Sequence, residues 1–586
     1  MSAENGFRVL RVHLDSGQGE VISFGDRFAD LGGSGLAARL FQSFGLPDER
    51  FDHPDQPLIF AIGQLTGFFP LMSKVVCGFK SPYHDQYAES HAGGRMALAL
   101  KFAGFDALML TGRAALLSCV LVGSRRIEVR DVHFLGHEDV FQTGRLLRRM
   151  FPQSPGHRSI ARIGPAGENG SAFACINVDT YRHFGRLGAG TVMGGKNCKA
   201  VIIQGDESQD IPQGKAYRNL FRSIYRDLTS TKMMSKYHDL GTAQNMTPLN
   251  ALQSLPWRNL QSTRDSRVEA ISGEHYADEM LLRNTACSGC PVGCIHVGVL
   301  REQFADGHRF KYSQVAYDYE LLFALGSMLG VTDPSSVLSL IHAVEQQGLD
   351  AISTGVALAW ATEALDRGVI GTQETGLELR FGDARAYREA VVKTGGMANR
   401  FYALLAQGTE AAVQSYGGGD FACVLGQEMA GYATGESYFS LQSLGFRHSH
   451  LDAGAYSLDQ EMEDIDPDST VDFLVKDERA RCLLTSLVAC LFARSVYKQE
   501  TVAECLQALG YAELAENVDH KAGEVQKLRW QTRFRTGYRP EEVRIPKRFT
   551  EVRTWKGPID ARGLEEIRTR YAQAVREFGE PEPQGA

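Results

Sequence analysis

RVLRVHLDSGQGEVISF, residues 8–24, alternates apolar and polar side chains on either side of Asp15-Ser16-Gly17. A period of two with a turn in the middle predicts two paired strands. Outward from it the same β-rich punctuation continues in PLIFAIG, ALMLTG, SCVLVG, RRIEVRDV and AVIIQG, with a helix of LAARLFQSFG type interleaved. From about Gln209 the period lengthens. PSSVLSLIHAVEQQGL and GVALAWATEALDRGV repeat apolar residues three and four apart, with Asp333 and Ser335-Ser336 at the expected N-cap and Gly348 at the stop. Strands followed by helices predict an α+β protein: a β-rich N-terminal base over 1–208 and two mainly helical domains over 209–417 and 418–586. The inner boundary is placed at Gly417–Gly419, and the tail GEPEPQGA is expected to fray.

The bulk numbers exclude several classes. A chain of 586 residues exceeds one core and predicts about three or four packing units. A net charge of -8, without a basic run, argues against nucleic acid. No stretch approaches the ~18 apolar residues of a membrane span, since LLTSLVACLFAR is short and ends in arginine. MSAENGFRVL has no signal-peptide pattern, so a cytoplasmic protein is expected.

Cys287, Cys290 and Cys294 stand in ACSGCPVGC, where Gly289, Gly293 and Pro291 shape a loop between thiols. A 4Fe-4S cluster usually takes four thiolates, so a remote fourth is required. Cys423, Cys482, Cys490 and Cys505 are candidates, while Cys77, Cys119, Cys175 and Cys198 lie in strand or turn packing. Structural zinc is the alternative, though a second C-x2-C pair is missing. A radical-SAM reading is disfavoured by the order of the spacings. Glycine-dense loops begin at Leu31, Glu89, Arg162 and Tyr181 and suit phosphate-bearing cofactors. None matches a Walker loop or a full dinucleotide fingerprint.

In this order, GQLTG at Gly63, KSP at Lys80, GGRMALALKFAGFDAL at Gly93, IGPAGEN at Ile163, GRLGAGTVMGGKNCKA at Gly185, CSGCPVGC at Cys287, YELLFALGSMLGV at Tyr319, GLDAISTG at Gly348 and PKRF at Pro546 resemble the aldehyde:ferredoxin oxidoreductase family over nearly the whole chain. The resemblance implies a β-rich base carrying a tungsten, or molybdenum, bis-pyranopterin (a tungstopterin). Two helical domains would close over it, and a 4Fe-4S cluster would pass electrons to ferredoxin or an iron-sulfur partner subunit, in a homo- or hetero-oligomer. It also implies Cys490 as fourth cluster ligand. Phosphates and a bridging Mg2+ would lie near Lys74, the loop His91, Ala92, Gly93, Gly94 and Arg95, and the segment Arg182, His183 and Gly185. Lys74 stands where the family has arginine and keeps charge but not the bidentate fork.

Two family motifs of the form D-x-x-G-L-[CD] hold the pterin rings. The first reads EQQGLD here, with Glu345 in place of aspartate and Gly348, Leu349 and Asp350 retained; the second reads TSLVAC and keeps only Cys490. Glu320 matches the glutamate beside the metal. GFRHSHLDAGAYSLDQ gathers Arg447, His448, His450, Asp452 and Tyr456, with His450 favoured over His448 for contact with a small-molecule substrate; a metal-ligand pair of histidines is the alternative. Some members bridge subunits through iron held by a Glu and a His three residues on; the aligned residues are Ser339 and His342, so that iron is not expected. The implied activity is oxidation of aldehydes to carboxylic acids, or the reverse. Reduction of a different substrate, or an iron-sulfur carrier or assembly protein that has lost the pterin site, are the alternatives.

Overall fold

A computed structural model describes residues 5–152, 157–461 and 466–579. The tail from residue 580 lies outside them. Twelve strands come first: β1 (Phe7–His13), β2 (Gln18–Phe24), β3 (Leu58–Ala61), β4 (Val75–Lys80), β5 (Tyr87–Ala92), β6 (Ala107–Thr111), β7 (Ser118–Gly123), β8 (Ile127–Asp131), β9 (His157–Arg162), β10 (Ile176–Val178), β11 (Arg182–Phe184) and β12 (Cys198–Gly205). They form two six-stranded sheets, ordered β2-β1-β6-β3-β4-β5 and β11-β10-β9-β12-β7-β8. β1 and β2 pair antiparallel from Phe7↔Phe24 to His13↔Gln18, around Gly17 at φ 71°.

The period of two explains the layering. Leu58 and Phe60 of β3, with Val120, Val122, Val201 and Ile203 of β7 and β12, fill one apolar core between the sheets. The alternate residues Ile59 and Ala61 face the opposite way, into the core shared with the later helices. Cys119, Leu121, Ala200 and Ile202 face Leu147 of the Val140–Met150 helix. Strands buried on both faces read as continuous apolar runs, as LIFA does.

The helical half is built on good stops and caps. Asp333 accepts from the Ser336 N–H at 2.7 Å to open the Pro334–Gln347 helix, and Gly348 closes it at φ 72°. Asp350 then caps the Ala351–Asp366 helix through the N–H groups of Ile352 and Ser353. The expectation of a helical region misses one feature: β13 (Leu281–Thr285), β14 (Ile295–Ala305) and β15 (Arg309–Tyr317) make a three-stranded antiparallel sheet. Its hairpin turns at Gly307 and His308, both with positive φ. One face packs on the Pro334–Gln347 helix, through Glu302 and Ser339. No single helix among the described residues is long and apolar enough to cross a membrane.

Candidate active site and thiol cluster

The thiol loop runs from the end of β13 to the start of β14, with Gly289 and Gly293 both at φ 67°, a conformation that favours glycine. Main-chain hydrogen bonds lace it to the base: Ser288 N–H to Gly94 O (3.0 Å), Leu71 N–H to Gly289 O (3.1 Å) and Cys490 N–H to Leu71 O (3.0 Å). The fold thereby brings Cys490 to the loop, and Cys290, Cys294 and Cys490 pack against one apolar cluster. Burial pushes the Cys290 thiol up to about 12, and the neighbouring Cys490, Cys294 and Cys287 push the same way. The other candidates sit elsewhere. Cys423 points its thiol at Asn259 O, Cys482 accepts from Arg529 at 3.0 Å, and Cys505 is fully buried within its helix.

Burial opposes ionisation of Cys287, but Arg182 and Lys74 outweigh it and hold this thiol below its ordinary range. Arg182 Nη2 lies 3.5 Å from Cys294 Sγ. Burial alone would lower the guanidinium's pKa, yet the two thiols push it up. Lys74 and Arg182 are thus placed against the thiols as well as the glycine loop. A Cβ on Gly93 would meet Cys287 Sγ at 2.7 Å, so only glycine fits. A single tetrahedral ion draws its sulfurs to about 2.3 Å from one centre. Among the described residues no three His, Cys, Asp or Glu converge that closely. The four thiols of Cys287, Cys290, Cys294 and Cys490 are nonetheless close enough to act on one another electrostatically.

Several buried groups of the base and the second domain have no partner: Arg182 Nε, Arg186 Nη1, Asn177 Oδ1 and Glu345 Oε2, and also Arg162 Nη2, which is packed against Gly144 of the Val140–Met150 helix. Buried polar atoms are normally paired, and an orphan costs about 1–3 kcal/mol. Burial, with Asp318 adding to it, pushes the Glu345 carboxyl up to about 8. His183 is pushed down to about 3 by burial and by Arg182 and Arg162; its Nε2 stands 3.7 Å from Glu345 Oε1. Nothing lies within 4 Å of where a Cβ on Gly185 would be. Free guanidinium donors, a free carboxyl oxygen and open space beside glycine fit an anionic group bearing ring N–H donors, as a pterin phosphate does. His91 instead spans Glu89 (3.2 Å) and Arg447 (3.2 Å), tying base to third domain. Ala92 and Gly94 are buried, whereas Arg95 is exposed and gives its main-chain N–H to Asp179. The Asp350 carboxylate is occupied by its helix cap and by Arg186 at 3.3 Å.

Glu320 stands on the first turn of the Tyr319–Leu325 helix. Tyr432 donates to Glu320 Oε1 at 2.8 Å, and His450 Nε2 lies 3.2 Å from the same oxygen. Their side chains remain partly accessible, at 17% for Glu320 and 13% for His450. Burial, and then Asp318, push the Glu320 carboxyl up to about 8. Burial and the cations Arg186, Arg481 and Arg447 push His450 down to about 3. Near neutrality both are uncharged, and His450 Nδ1 has no partner. Tyr432 stacks on Tyr456 at 4.9 Å. His448 spends both ring nitrogens elsewhere, on Arg533 and Gln442 O, with its ring 5.2 Å from His84. The structure therefore brings Glu320 and His450 together and leaves His448 in the framework. Ser339 contacts Glu302, and His342 stacks on Phe141.

Two functional candidates escape the sequence reading. Tyr432 sits in GYATGESY, which carries no chemical signature of its own. Arg186 stands inside the glycine motif itself, bridging Asp350 and the Glu428 carbonyl, with one nitrogen free.

Comparison with known proteins places this geometry among relatives. Residues 9–205 match the model of the aldehyde ferredoxin oxidoreductase N-terminal domain, and 219–578 that of domains 2 and 3. The tungsten-containing aldehyde ferredoxin oxidoreductase of Pyrococcus horikoshii is 31% identical over 441 residues, covering 72% of this chain and 70% of that protein. The enzyme of the same name from Pyrococcus furiosus is 32% identical over 425 residues, covering 70% and 67%. An aliphatic sulfonate oxidoreductase, WOR-like subunit, from Pyrococcus furiosus is 29% identical over 399 residues, covering 64% and 62%. Among solved structures, the active site complex BamBC of benzoyl coenzyme A reductase superposes with a TM-score of 0.80 at 20% identity, covering 98% of this chain and 94% of that one. At that identity the likeness speaks for the fold.

Proposed function

Because the chain belongs to the aldehyde ferredoxin oxidoreductase family, a family of oxidoreductases, we propose that it oxidises aldehydes to carboxylic acids, or runs that reaction in reverse. The overall change adds water to the aldehyde and releases two protons and two electrons. The tungsten-containing relatives support a tungsten, or molybdenum, centre held by two pterins. When bound, that centre accepts the electron pair. Arg162, Arg182 and Arg186 would meet anionic oxygens with their free nitrogens, Lys74 and the 91–95 loop would line the phosphates and their Mg2+, and Glu345 would accept from ring N–H groups. Cys287, Cys290, Cys294 and Cys490 would hold the 4Fe-4S cluster, which returns electrons singly to a ferredoxin or partner subunit.

The observation that carries the reading is the partly accessible Glu320 carboxyl, bonded to Tyr432 and next to His450. A carboxyl whose pKa is lifted to about 8 exchanges protons near the working pH, as a general acid–base must. In oxidation Glu320 takes a proton from water at the aldehyde carbon; in the reverse direction it returns one. Tyr432 and the His450 Nε2–H would fix the carboxylate oxygen, and the free Nδ1 of the neutral His450 would accept a hydrogen bond from the attacking water or the hydrated substrate's hydroxyl. A second reading, the same site acting on a different oxidisable or reducible substrate, is favoured by the sulfonate oxidoreductase relative. A third, an electron carrier without the pterin, is favoured by Thr485 and Val488 in the second motif.

Elemental analysis of anaerobically purified protein, with a viologen-coupled panel of aliphatic and aromatic aldehydes, tests the three. About one tungsten or molybdenum and four irons per chain, with aldehyde-dependent viologen reduction, is expected. Full metal with no aldehyde activity selects the second reading. Iron without either metal selects the third.

A further inference from the structure

The three-stranded sheet that springs from the thiol loop leaves one face open beyond Val297, which is itself fully buried. Directly paired residues share a face: Arg283 opposite Val297, Val299 opposite Gln314, Arg301 opposite Tyr312, Gln303 opposite Phe310. The other face is occupied, with Leu300 and Val315 in the core and Glu302 against Ser339 and Arg388. On the open face Arg283, Arg301, Gln303 and Gln314 are exposed, and Tyr312 is 63% exposed. Arg301 lies over the Phe310 ring at 3.7 Å. The cations and aromatics therefore form one patch rather than scattered side chains.

Two properties set this patch apart. The first is charge: these strand positions carry two arginines and no carboxylate, on a chain of net charge -8, and Asp306 stands only at the hairpin tip. The second is continuity with the thiols. Gln314 accepts from Arg283 at 3.0 Å and from Tyr181 at 3.1 Å. Tyr181 precedes Arg182, whose guanidinium touches Cys294. Ile295 follows Cys294 directly, so Val299 and its partner Gln314 stand roughly 13 Å along the strand from the loop. Ala286 and Gly289 of the loop itself are exposed.

We propose that the open face of β13–β15 docks an acidic protein carrying a one-electron iron-sulfur centre, with Arg283 and Arg301 meeting its carboxylates and Tyr312 packing at the middle of the contact. The inference rests on the reading of the four thiols as cluster ligands. In each encounter one electron leaves the chain's cluster and reduces the partner's centre by one. Complementary charge acts mainly on the association rate and is weakened by salt, whereas an aromatic and an arginine are the side chains that most often dominate binding energy.

The test uses the holoenzyme and an acidic two-cluster bacterial ferredoxin as probe, in two measurements: the dissociation constant at low and high salt, and electron transfer to the probe against transfer to methyl viologen. Arg283→Glu with Arg301→Glu should weaken probe binding at low salt by about tenfold or more, and lower electron transfer to the probe alike, with viologen reduction unchanged. Tyr312→Ser should weaken binding at every salt concentration. Lys476→Glu, on a 75% exposed side chain of the third domain, should change nothing. Probe binding within twofold of wild type in the double reversal, with viologen reduction intact, overturns the proposal. Failure of the wild type to bind the probe does so too. Loss of viologen reduction in the wild type itself strikes the proposed catalytic function instead and leaves the binding measurement to decide the surface.

Discussion

Two helix ends, at 345–350 and at 485–490, share a backbone and differ in chemistry. In the first, Gly348 at φ 72° closes the Pro334–Gln347 helix, the Cys175 N–H reaches Gly348 O at 2.9 Å, Leu349 bridges Ala174, and the Asp350 N–H reaches Phe173 O at 2.9 Å. In the second, Val488 at φ 55° follows the Pro467–Ser486 helix, the Lys74 N–H reaches Val488 O at 3.0 Å, Ala489 bridges Met72, and the Cys490 N–H reaches Leu71 O at 3.0 Å. The same bonds are made in the same order, one set to each half of the base. Main-chain groups make them, so they survive when side chains change. The first turn keeps a buried acid with a free oxygen, Glu345, whereas the second has Thr485, bonded to Ser34 at 3.0 Å, and Ser486 with a buried hydroxyl lacking a partner. Ser34 in turn donates to Glu89, a carboxylate already engaged: burial opposes its ionisation, but Arg529 and His91 hold it down to about 2. The frame of the first turn is thus kept in the second without its acid.

The strongest way to break the comparison is to wedge the frame. A Cβ on Gly164 would meet Gln347 O at 2.5 Å, and one on Gly33 would meet Thr485 O at 2.4 Å, both backbone atoms. Gly164→Ala and Gly33→Ala should each destabilise by about 3 kcal/mol, with Gly33, at φ 48°, the worse. Chemical denaturation reads this. A loss under 1 kcal/mol at either site means that the turn is not clamped there.

A smaller effect separates the chemistry. Glu345→Ala should cost roughly 1–2 kcal/mol of pterin retention, about tenfold, because the carboxyl oxygen that would accept from ring N–H groups is lost. Thr485→Ala should cost almost none. Pterin per chain after dialysis measures both, and equal losses contradict the assigned asymmetry.

The smallest change concerns Val488. Its β-branched side chain sits at positive φ while fully buried. Val488→Gly removes about 1–2 kcal/mol of backbone strain and forfeits a similar amount of burial. The melting temperature should move little. A loss above 3 kcal/mol means that packing alone governs the position.

This near-repeat was legible only through the family resemblance, because the two residues that would announce it, an acid and a glycine, are Thr485 and Val488. What was legible had strong local physics: the alternation of residues 8–24, the Asp333 cap with the Gly348 stop, and the clustered thiols. The β13–β15 sheet was missed because the surrounding helical periodicity was extended across it, although Asp306-Gly307 between alternating runs is a hairpin signal. Tyr432 reaches Glu320 across 112 positions, a contact that only the folded chain makes. His450 was favoured over His448 in the sequence, and the fold gives the reason: the backbone at His448 turns to positive φ and sends that ring to Arg533, leaving His450 beside Glu320.

The most direct measurement is the pH–rate profile of aldehyde oxidation by metal-replete Glu320→Gln beside wild type. Glu320 has its pKa raised to about 8, so the carboxylate able to take a proton from water accumulates as pH rises through that value. Wild-type kcat/KM should climb through about pH 8. Glu320→Gln should retain tungsten and iron, lose the climb and turn over roughly 10²- to 10⁴-fold more slowly. Full turnover with an unchanged profile, at intact metal content, would contradict the assignment of Glu320 as the acid–base group.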